Sequence, residues 1–228
     1  MKKRNIGILS SIGHPLLPYF VETLNKIENV SFYLILDKKK FSEKNKKIFE
    51  SRTKDNLKKK FVIDSIKTFR TNSHNSKEVL DFIKNKKIFL LLNCGTPRKL
   101  ERDIINSTDM GILNIHPGLL PKYKGSSCVE WSIYNEDPIG ISAHFMSEEY
   151  DSGPIIQTLE LPIKKTDTYE NIRTRVYLES IDFMKEIVEM LILNEYKDLK
   201  LIQQKPSHIF RPIGDNEMAI VLKKINDS

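Results

Sequence analysis

The sequence predicts a three-layer α/β domain with a mainly parallel sheet and an antiparallel edge. Short apolar strands alternate with helical segments, an order that builds a parallel sheet between two helix layers. The run KIFLLLNCG (87–95) is continuously apolar, as in a central strand buried on both faces. The segments 139–148 and 153–163 flank EYDSG and predict a strand pair, which supplies the antiparallel edge.

The first half of the chain repeats a strand followed by a helix. NIGILSS is apolar and ends in a turn, while prolines suit the first turn of the helix after it. SFYLILD is rich in aromatic and branched residues, which favour strands. The predicted elements are a strand at 5–11, a helix at 14–27, a strand at 31–37, a lysine-rich helix at 42–60, a weak strand or connector at 61–66 and a capped amphipathic helix at 75–85.

The second half continues the pattern after the central strand. Its predicted elements are a helix at 97–105, a strand at 110–116, a helix at 126–137 capped by Ser126, the strand pair, and a long helix at 168–194. No element is predicted after Pro206. Because no repeat, linker or composition break appears, we expect one domain over 1–195. The tail 196–228 is expected to pack on it or on a partner subunit.

The composition is that of an ordinary globular protein, with 39% hydrophobic and 29% charged residues. The net charge of +7 favours anionic partners. Eleven basic residues lie in 38–60 with only three acidic ones. A solvent-exposed helix face is the preferred interpretation; a phosphate- or RNA-attracting patch is the alternative, but no aromatic residues alternate with these lysines.

Several classes of site and location are not expected. Cys94 and Cys128 lack the spacing of a metal site or disulfide framework, and Cys94 is expected to be buried. No apolar run reaches the roughly 18 residues of a membrane span. The first 20 residues predict a strand and turn rather than a signal peptide, so a cytoplasmic location is expected.

Polar side chains end the strand at 110–116. Asn114 and His116 are two residues apart and project to the same side. An amide donor beside an imidazole suits acyl transfer, since fixed donors stabilise charge on the carbonyl oxygen and the ring can move a proton. A hydrogen-bonded strand-end pair is an equally good interpretation. Asp151 is expected in an exposed turn, and close to His116 it would favour the imidazolium; an ordinary turn aspartate is the alternative.

Two segments carry a family resemblance. NIHPGLLPKYKG (114–125) and GISAHFMSEEYDSGPII (140–156) resemble the folate-dependent formyltransferases. That family includes the glycinamide ribonucleotide, methionyl-tRNA and sugar-nucleotide N-formyltransferases. The resemblance extends over residues 86–190 and implies a Rossmann-like fold with 10-formyltetrahydrofolate as formyl donor and no metal.

The resemblance also implies roles for individual residues. Asn114, His116 and Asp151 match the catalytic triad, and His144 matches a histidine that supports the site. The positions that match the folate loops are Arg98, Leu100, Met146, Ser147 and Glu148, the first two through their backbone.

The implied reaction is direct attack of a neutral amine on the formyl carbon. Asn114 and protonated His116 would stabilise the oxyanion, while Asp151 keeps His116 charged and helps proton transfer. Pro117 and Pro121 stiffen the loop after the strand. Lys122, Tyr123 and Gly125 of this loop are expected to contact the acceptor.

The sequence says less about which amine accepts the formyl group. SSIGH (10–14) stands where the purine enzymes carry a glycine-rich phosphate loop, although Ser10, Ser11 and the Gly13 backbone could still bind phosphate. Only about 35 residues follow the long helix, fewer than the appended domain of the tRNA enzymes needs. A nucleotide-linked amino sugar is therefore the expected acceptor, and nucleic acid is not expected.

Other functions stay open at this point. Glycinamide ribonucleotide or methionyl-tRNA formylation are alternatives within the family. An inactive folate- or nucleotide-binding module is disfavoured because all three triad residues are present. A dinucleotide-dependent oxidoreductase lacks G-x-G-x-x-G after the first strand. A role in lipopolysaccharide O-antigen biosynthesis and a homodimer, for which 187–193 offers an apolar segment, are further expectations.

Overall fold

The computed structural model describes residues 3–53, 57, 59, 66–193 and 199–227. Within these ranges the strands are β1 (Arg4–Ile12), β2 (Val30–Lys40), β3 (Lys67–Thr71), β4 (Ile88–Asn93), β5 (Ile112–His116), β6 (Lys124–Gly125), β7 (Ile139–Phe145), β8 (Ile155–Leu161) and β9 (Ile209–Phe210). The helices are α1 (Leu17–Leu24), α2 (Glu43–Thr53), α3 (Lys77–Asn85), α4 (Arg102–Ile105), α5 (Cys128–Tyr134), α6 (Tyr169–Leu193) and α7 (Asp215–Asn226).

The predicted sheet is confirmed. Among the described residues seven strands pair in the order β3-β2-β1-β4-β5-β7-β8. The first five in this order run parallel, and β7 and β8 add the antiparallel edge. The central strand β4 has five buried residues in a row, because neighbouring strands and helices cover both its edges and both its faces.

Two hydrophobic clusters lie on opposite faces of the sheet, which gives the predicted three layers. Alternate side chains of β1 divide between them: Ile6 and Ile8 belong to the larger cluster, and Leu9 to the smaller. Helices α1, α5 and α6 contribute to the larger cluster, and α3 and α4 to the smaller. Complete burial of one such aliphatic side chain stabilises the fold by about 1.5–3 kcal/mol.

The strand register brings the predicted polar residues to one edge of the sheet. Leu9 of β1 pairs with Asn93 of β4, and Leu92 pairs with Leu113 of β5. The loops that follow these three strands therefore start side by side. On the other side of β5, Asn114 lies opposite His144 of the antiparallel strand β7.

Several element boundaries differ from the sequence predictions. Helix α1 begins at Leu17, because a turn closed by the Leu17 N–H and the His14 carbonyl precedes it. The N-cap of α5 is Ser127, with φ 55°, so the assignment of Ser126 as cap was wrong. The edge strand β3 was missed, since KTFRT carries too few apolar residues to stand out. The predicted connector at 61–66 lies outside the described residues except for its last position.

The tail after Pro206 contains two elements that the sequence analysis missed. Strand β9 pairs in parallel with β6. Helix α7 contacts α5 and buries Val221 and Ile225 in the larger cluster. Its apolar residues 218–222 are consecutive, so the sequence does not show a clear helical period, and only Val221 and Ile225 are buried. No helix within the described ranges is long and apolar enough to cross a membrane.

Candidate active site

His116 and Asp151 form a buried ion pair at the carboxyl edge of the sheet. The His116 Nδ1 lies 3.3 Å from Asp151 Oδ1, and the Gly125 N–H donates to Asp151 Oδ2 at 2.9 Å. The His116 Nε2 lies 2.7 Å from the Tyr123 carbonyl oxygen. Because both neighbours are acceptors, both ring nitrogens must donate, which requires the imidazolium form.

The charges of the pair stabilise each other. Burial disfavours the imidazolium, but the hydrogen bond and negative charge of Asp151 outweigh it and raise the pKa of His116 to about 10. Burial likewise opposes the charge on Asp151, yet His116 and the Gly125 N–H hold its pKa below the ordinary value. The carboxylate is not exposed as predicted: Asp151, with φ 50°, turns it inward and leaves only 15% of the side chain exposed.

The amide of Asn114 is oriented by a chain of hydrogen bonds. The Thr96 N–H donates to Asn93 Oδ1 at 3.1 Å, and Asn93 Nδ2 donates to Asn114 Oδ1 at 2.9 Å. Asn114 Nδ2 lies 3.0 Å from His144 Nε2. One hydrogen of the Asn114 amide is thus engaged, and the other has no partner among the described residues.

His144 acts as a neutral acceptor in this chain. Its Nδ1 lies 3.0 Å from the Phe145 carbonyl oxygen, so Nδ1 carries the proton and Nε2 accepts from Asn114. Burial, together with the positive charge of His116, lowers the pKa of His144 to about 4. A neutral His144 therefore fixes which end of the Asn114 side chain donates.

A cavity of 370 Å³ opens in front of Asn114 and Asp151. We call it the first cavity. Two loops enclose it, one after β4 and one between β7 and β8. All five residues predicted to bind folate line it, namely Arg98, Leu100, Met146, Ser147 and Glu148. His116 is 97% buried behind Asp151 and is not among the lining residues.

The side chain of Arg98 does not point freely into the first cavity. Its guanidinium donates twice to the buried Asp37, at 2.9 and 3.1 Å, and once to the Asn72 carbonyl oxygen. This pairing ties the loop after β4 to the end of β2. Leu100 is also buried, so the backbone of this loop is what it presents to a ligand.

The predicted acceptor residues are dispersed. Ser10 and Ser11 are fully buried, and Ser10 Oγ donates to the Cys94 carbonyl, so their hydroxyls face the interior of the protein. The phosphate contact stays a prediction. Gly13 is exposed. Lys122 is exposed and pairs with Asp137 at 2.6 Å.

Tyr123 does not offer its side chain to an acceptor. It is buried, donates its hydroxyl to Asp137 and stacks on Phe210 at 5.2 Å. Strand β5 therefore presents Asn114 and His116, and the loop between β7 and β8 presents Asp151. The segment from 117 to Gly125 serves mainly to hold them, through the Tyr123 carbonyl and the Gly125 N–H.

A second cavity, of 470 Å³, lies near the same sheet edge. It is lined by His14, Pro15, Leu16, Phe41, Lys44, Asn45, Ile48, Phe49, Arg52, Ser126, Ser127, Tyr177 and Pro212. No ligand site was predicted for this set as a whole, although Lys44 and Arg52 belong to the basic segment 38–60, for which a phosphate- or RNA-attracting patch was the alternative interpretation. The lysine-rich pattern of α2 was the one available signal, but it could not tell a cavity wall from an exposed helix face.

The second cavity borders the elements that hold the triad. Ser126 directly follows Gly125, whose N–H anchors Asp151. The His14 ring packs against Gly95, which lies two residues beyond Asn93. No group of His, Cys, Asp or Glu within the described ranges has an arrangement suited to a metal ion.

The sequence model of a known family, described as formyl transferase, matches residues 22–188, more than half of the chain. The chain belongs to the formyl transferase family. The match includes both segments that carry the resemblance and therefore Asn114, His116 and Asp151.

Curated relatives of this family member are longer proteins. Methionyl-tRNA formyltransferase of Thermotoga sp. (strain RQ2) is 30% identical over 152 residues, 65% of this chain and 47% of that protein. The bifunctional polymyxin resistance protein ArnA of Wigglesworthia glossinidia brevipalpis is 26% identical over 144 residues, 63% of this chain and 22% of that protein. The chain thus spans less than half the length of these two relatives.

Solved structures share the fold over nearly the whole chain. A sugar N-formyltransferase from Shewanella sp FDAARGOS_354 matches with a TM-score of 0.64 and 20% identity, covering 98% of this chain and 88% of its own. A phosphoribosylglycinamide formyltransferase from Anaplasma phagocytophilum matches with a TM-score of 0.64 and 21% identity, covering 92% and 97%. At these identities the likeness concerns the fold alone.

Proposed function

We propose that this formyl transferase family member moves a formyl group from 10-formyltetrahydrofolate to the amine of a nucleotide-linked amino sugar. The observation that carries the donor assignment is the first cavity. Its wall combines the five predicted folate residues with Asn114 and Asp151. A volume of 370 Å³ lies in the range of small-molecule sites, and two backbone loops border it, which suits a flat heteroaromatic ring.

The donor, when bound, supplies an activated formyl group. The unpaired N–H of Asn114 would donate to the formyl oxygen, where negative charge develops during attack. The positive charge of His116 lies behind Asp151 and favours the same charge build-up. His116 Nε2 is engaged by Tyr123, so a direct contact of that N–H with the formyl oxygen requires a change of partner.

Asp151 is proposed to handle the proton. Its carboxylate lines the first cavity and is ionised beside His116, so it can accept a proton from the attacking amine directly or through water. The same pairing lowers its basicity, which favours passing the proton on to the departing folate nitrogen. We retain the sequence-based assignment of Asn114, His116 and Asp151 as the catalytic residues.

The acceptor assignment rests on the β1–α1 loop and on charge. Ser10 and Ser11 are buried and the loop contains one glycine, which does not favour the ribonucleotide of purine synthesis. The net charge of +7 suits a diphosphate. The Shewanella protein with the same fold is described as a sugar N-formyltransferase, which is consistent with this choice.

Formyl transfer to a panel of amines tests this proposal. The protein is incubated with 10-formyltetrahydrofolate and either an amino-sugar nucleotide, glycinamide ribonucleotide or methionyl-tRNA, and tetrahydrofolate release is followed. We expect turnover with the amino-sugar nucleotide. The Asn114→Ala variant should lose about 10²–10³ in kcat, the usual effect of removing one oxyanion donor.

The matched control is Asn171→Ala, which removes an exposed asparagine of α6 that does not line either cavity. It should retain wild-type turnover. Turnover with glycinamide ribonucleotide or methionyl-tRNA alone would overturn the acceptor class. Full activity of a folded Asn114→Ala variant would overturn the role of the amide.

A further inference from the structure

A buried cluster of charges lies beneath the second cavity, and two of its members, Arg52 and Tyr177, line that cavity. Glu130 is fully buried, and its Oε1 lies 3.3 Å from Arg52 Nη2 and 3.7 Å from Arg173 Nε. The Tyr169 hydroxyl donates to the same oxygen at 2.6 Å. Arg173 also donates to the Tyr177 hydroxyl at 2.9 Å. We call these five residues the floor cluster.

The floor cluster carries more positive than negative charge. Two arginines face one glutamate, which leaves a net charge of +1. Burial disfavours the glutamate anion, but Arg173 and Arg52 hold the pKa of Glu130 below its ordinary value, so it stays ionised. Burial likewise raises the pKa of the Tyr177 phenol, yet the two arginines outweigh burial and lower it. A buried excess of charge is costly unless an anion compensates it.

The hydrogen bonding of the floor cluster is also incomplete. Within the described part of the chain, Glu130 Oε2 and Arg173 Nε are buried without a hydrogen-bond partner. Arg52 Nη2 lies 3.3 Å from Glu130 Oε1 and 3.5 Å from Ser127 Oγ, and the Arg52 side chain also hydrogen-bonds to Tyr177. Guanidinium offers five N–H donors, which is more than these three contacts require.

Arg52 is the arginine of the cluster that reaches the cavity. Its side chain is 22% exposed and lines the second cavity, whereas that of Arg173 is 3% exposed. Lys44 lies on the same face of α2 and lines the same cavity. It has no acidic partner within the described ranges. The cavity therefore has a cationic floor and a cationic rim.

From these observations we infer that Arg52, supported by Lys44, binds a phosphate group of the acceptor in the second cavity. This inference rests on the proposed function for the identity of the acceptor. The planar guanidinium matches phosphate oxygens in a two-point contact, and the bound anion balances the floor cluster. The second cavity lies beside Gly125 and Gly95, which adjoin the residues that hold Asp151 and Asn114. With its phosphate on Arg52, the acceptor would extend from this cavity towards Asp151 and Asn114.

Calorimetric titration with phosphate compounds tests the inference without requiring catalysis. The probes are inorganic phosphate, ribose 5-phosphate, and the nucleoside diphosphates dTDP, GDP and UDP. We expect the wild-type protein to bind at least one diphosphate. Arg52→Met should weaken that binding about ten- to hundredfold, the loss expected for a charge-assisted contact. Arg52→Lys keeps the charge without the two-point geometry and should weaken it less.

Lys47→Ala is the matched control, because it removes one positive charge from α2 at a position that does not line the cavity. Its affinity should stay within about twofold of wild type, since one exposed charge contributes little. Circular dichroism checks that Arg52→Met is folded. If it is not, the diphosphate affinity of Arg52→Lys, compared with that of wild type, tests the inference.

The outcomes separate this inference from the proposed function. Equal diphosphate affinities of wild type and both Arg52 variants, or no binding by wild type, would overturn it. Preferential binding of ribose 5-phosphate would keep Arg52 as the phosphate contact but point to a ribonucleotide acceptor. Arg52-dependent binding without formyl transfer to any amine would overturn the proposed function alone.

Discussion

At the scale of residues, three hydrogen bonds determine what the site can do. The Thr96 N–H and Asn93 orient the Asn114 amide so that its oxygen is occupied and one N–H is left over. A neutral His144 accepts the other N–H. A charged His144 would have to donate and would repel this amide. The two histidines therefore need opposite charge states, and Asp151 provides this difference because it pairs with His116.

The first residue-scale prediction concerns the charge of His116. Asp151→Asn removes the carboxylate that sustains the imidazolium, while burial, which lowers the pKa, remains. The pKa of His116 should fall from about 10 to below its ordinary value of 6.5. Histidine NMR signals followed against pH measure this, with His116→Gln used to assign the resonance. A wild-type His116 that titrates near 6.5 would contradict the ion pair.

The same pair makes a prediction for stability against pH. The folded-state pKa of His116 is raised, so its contribution is fully present below 6.5 and is lost as pH rises towards 10. The pKa of Asp151 is depressed, so its contribution is present above 3.8 and is lost as pH falls. The difference in unfolding free energy between wild type and Asp151→Asn should therefore be largest between about pH 4 and 6.5. A difference independent of pH would contradict this.

At the scale of elements, the tail holds the loop that anchors Asp151. Strand β9 pairs with β6, and Phe210 stacks on Tyr123, whose carbonyl accepts from His116. The Trp131 indole donates to the Arg211 carbonyl oxygen at 2.8 Å, which fixes the tail on α5. These contacts link residues after position 195 to the triad. The domain boundary at 195/196 stays a prediction.

Gly125 provides the element-scale prediction. Its φ is +95°, and a Cβ there would lie 2.4 Å from the Phe210 carbonyl oxygen. Gly125→Ala should therefore displace β9 and lower the melting temperature. Gly13→Ala is the control, because Gly13 has φ +78° but open space around it. It should cost only the backbone strain of about 1–2 kcal/mol.

Thermal unfolding of both glycine variants measures the difference. We expect the loss in melting temperature for Gly125→Ala to be at least twice that for Gly13→Ala. Equal losses would mean that the tail does not constrain the loop.

Elements whose pattern of buried residues is visible in the local sequence were predicted, and elements that depend on distant parts of the chain were not. The apolar runs of β1, β2, β4 and β5 reflect burial within the sheet, so these strands could be recognised from the local sequence. The tail elements β9 and α7 depend on partners more than 80 residues away in the chain, such as Ser126 for Phe210. Local pattern cannot report such contacts. The burial of Ser10 and Ser11 also depends on contacts with neighbouring strands that are distant in sequence. The local sequence therefore did not indicate that their side chains are buried.

At the scale of the whole molecule, the fold places two cavities around one polar edge of the sheet. The first is bounded by the loops after β4 and β7, and the second by α2, α6 and the segments 14–16 and 126–127. Asn114 and Asp151 line the first, while the backbone next to Gly125 reaches the second. Two substrates could thus approach the triad from different sides. The sequence predicted the first cavity through the family resemblance, but the floor cluster joins three helices and has no local signature.

A crystal structure with 10-formyl-5,8-dideazafolate, which carries formyl on the same nitrogen as the natural donor, tests the central claim most directly. The account predicts the ring system in the first cavity between residues 96–100 and 146–150. The formyl oxygen should lie about 3 Å from Asn114 Nδ2, with the Asp151 carboxylate facing the formyl group and still paired with His116. A ligand bound elsewhere, or a formyl group out of reach of both Asn114 and Asp151, would contradict the account.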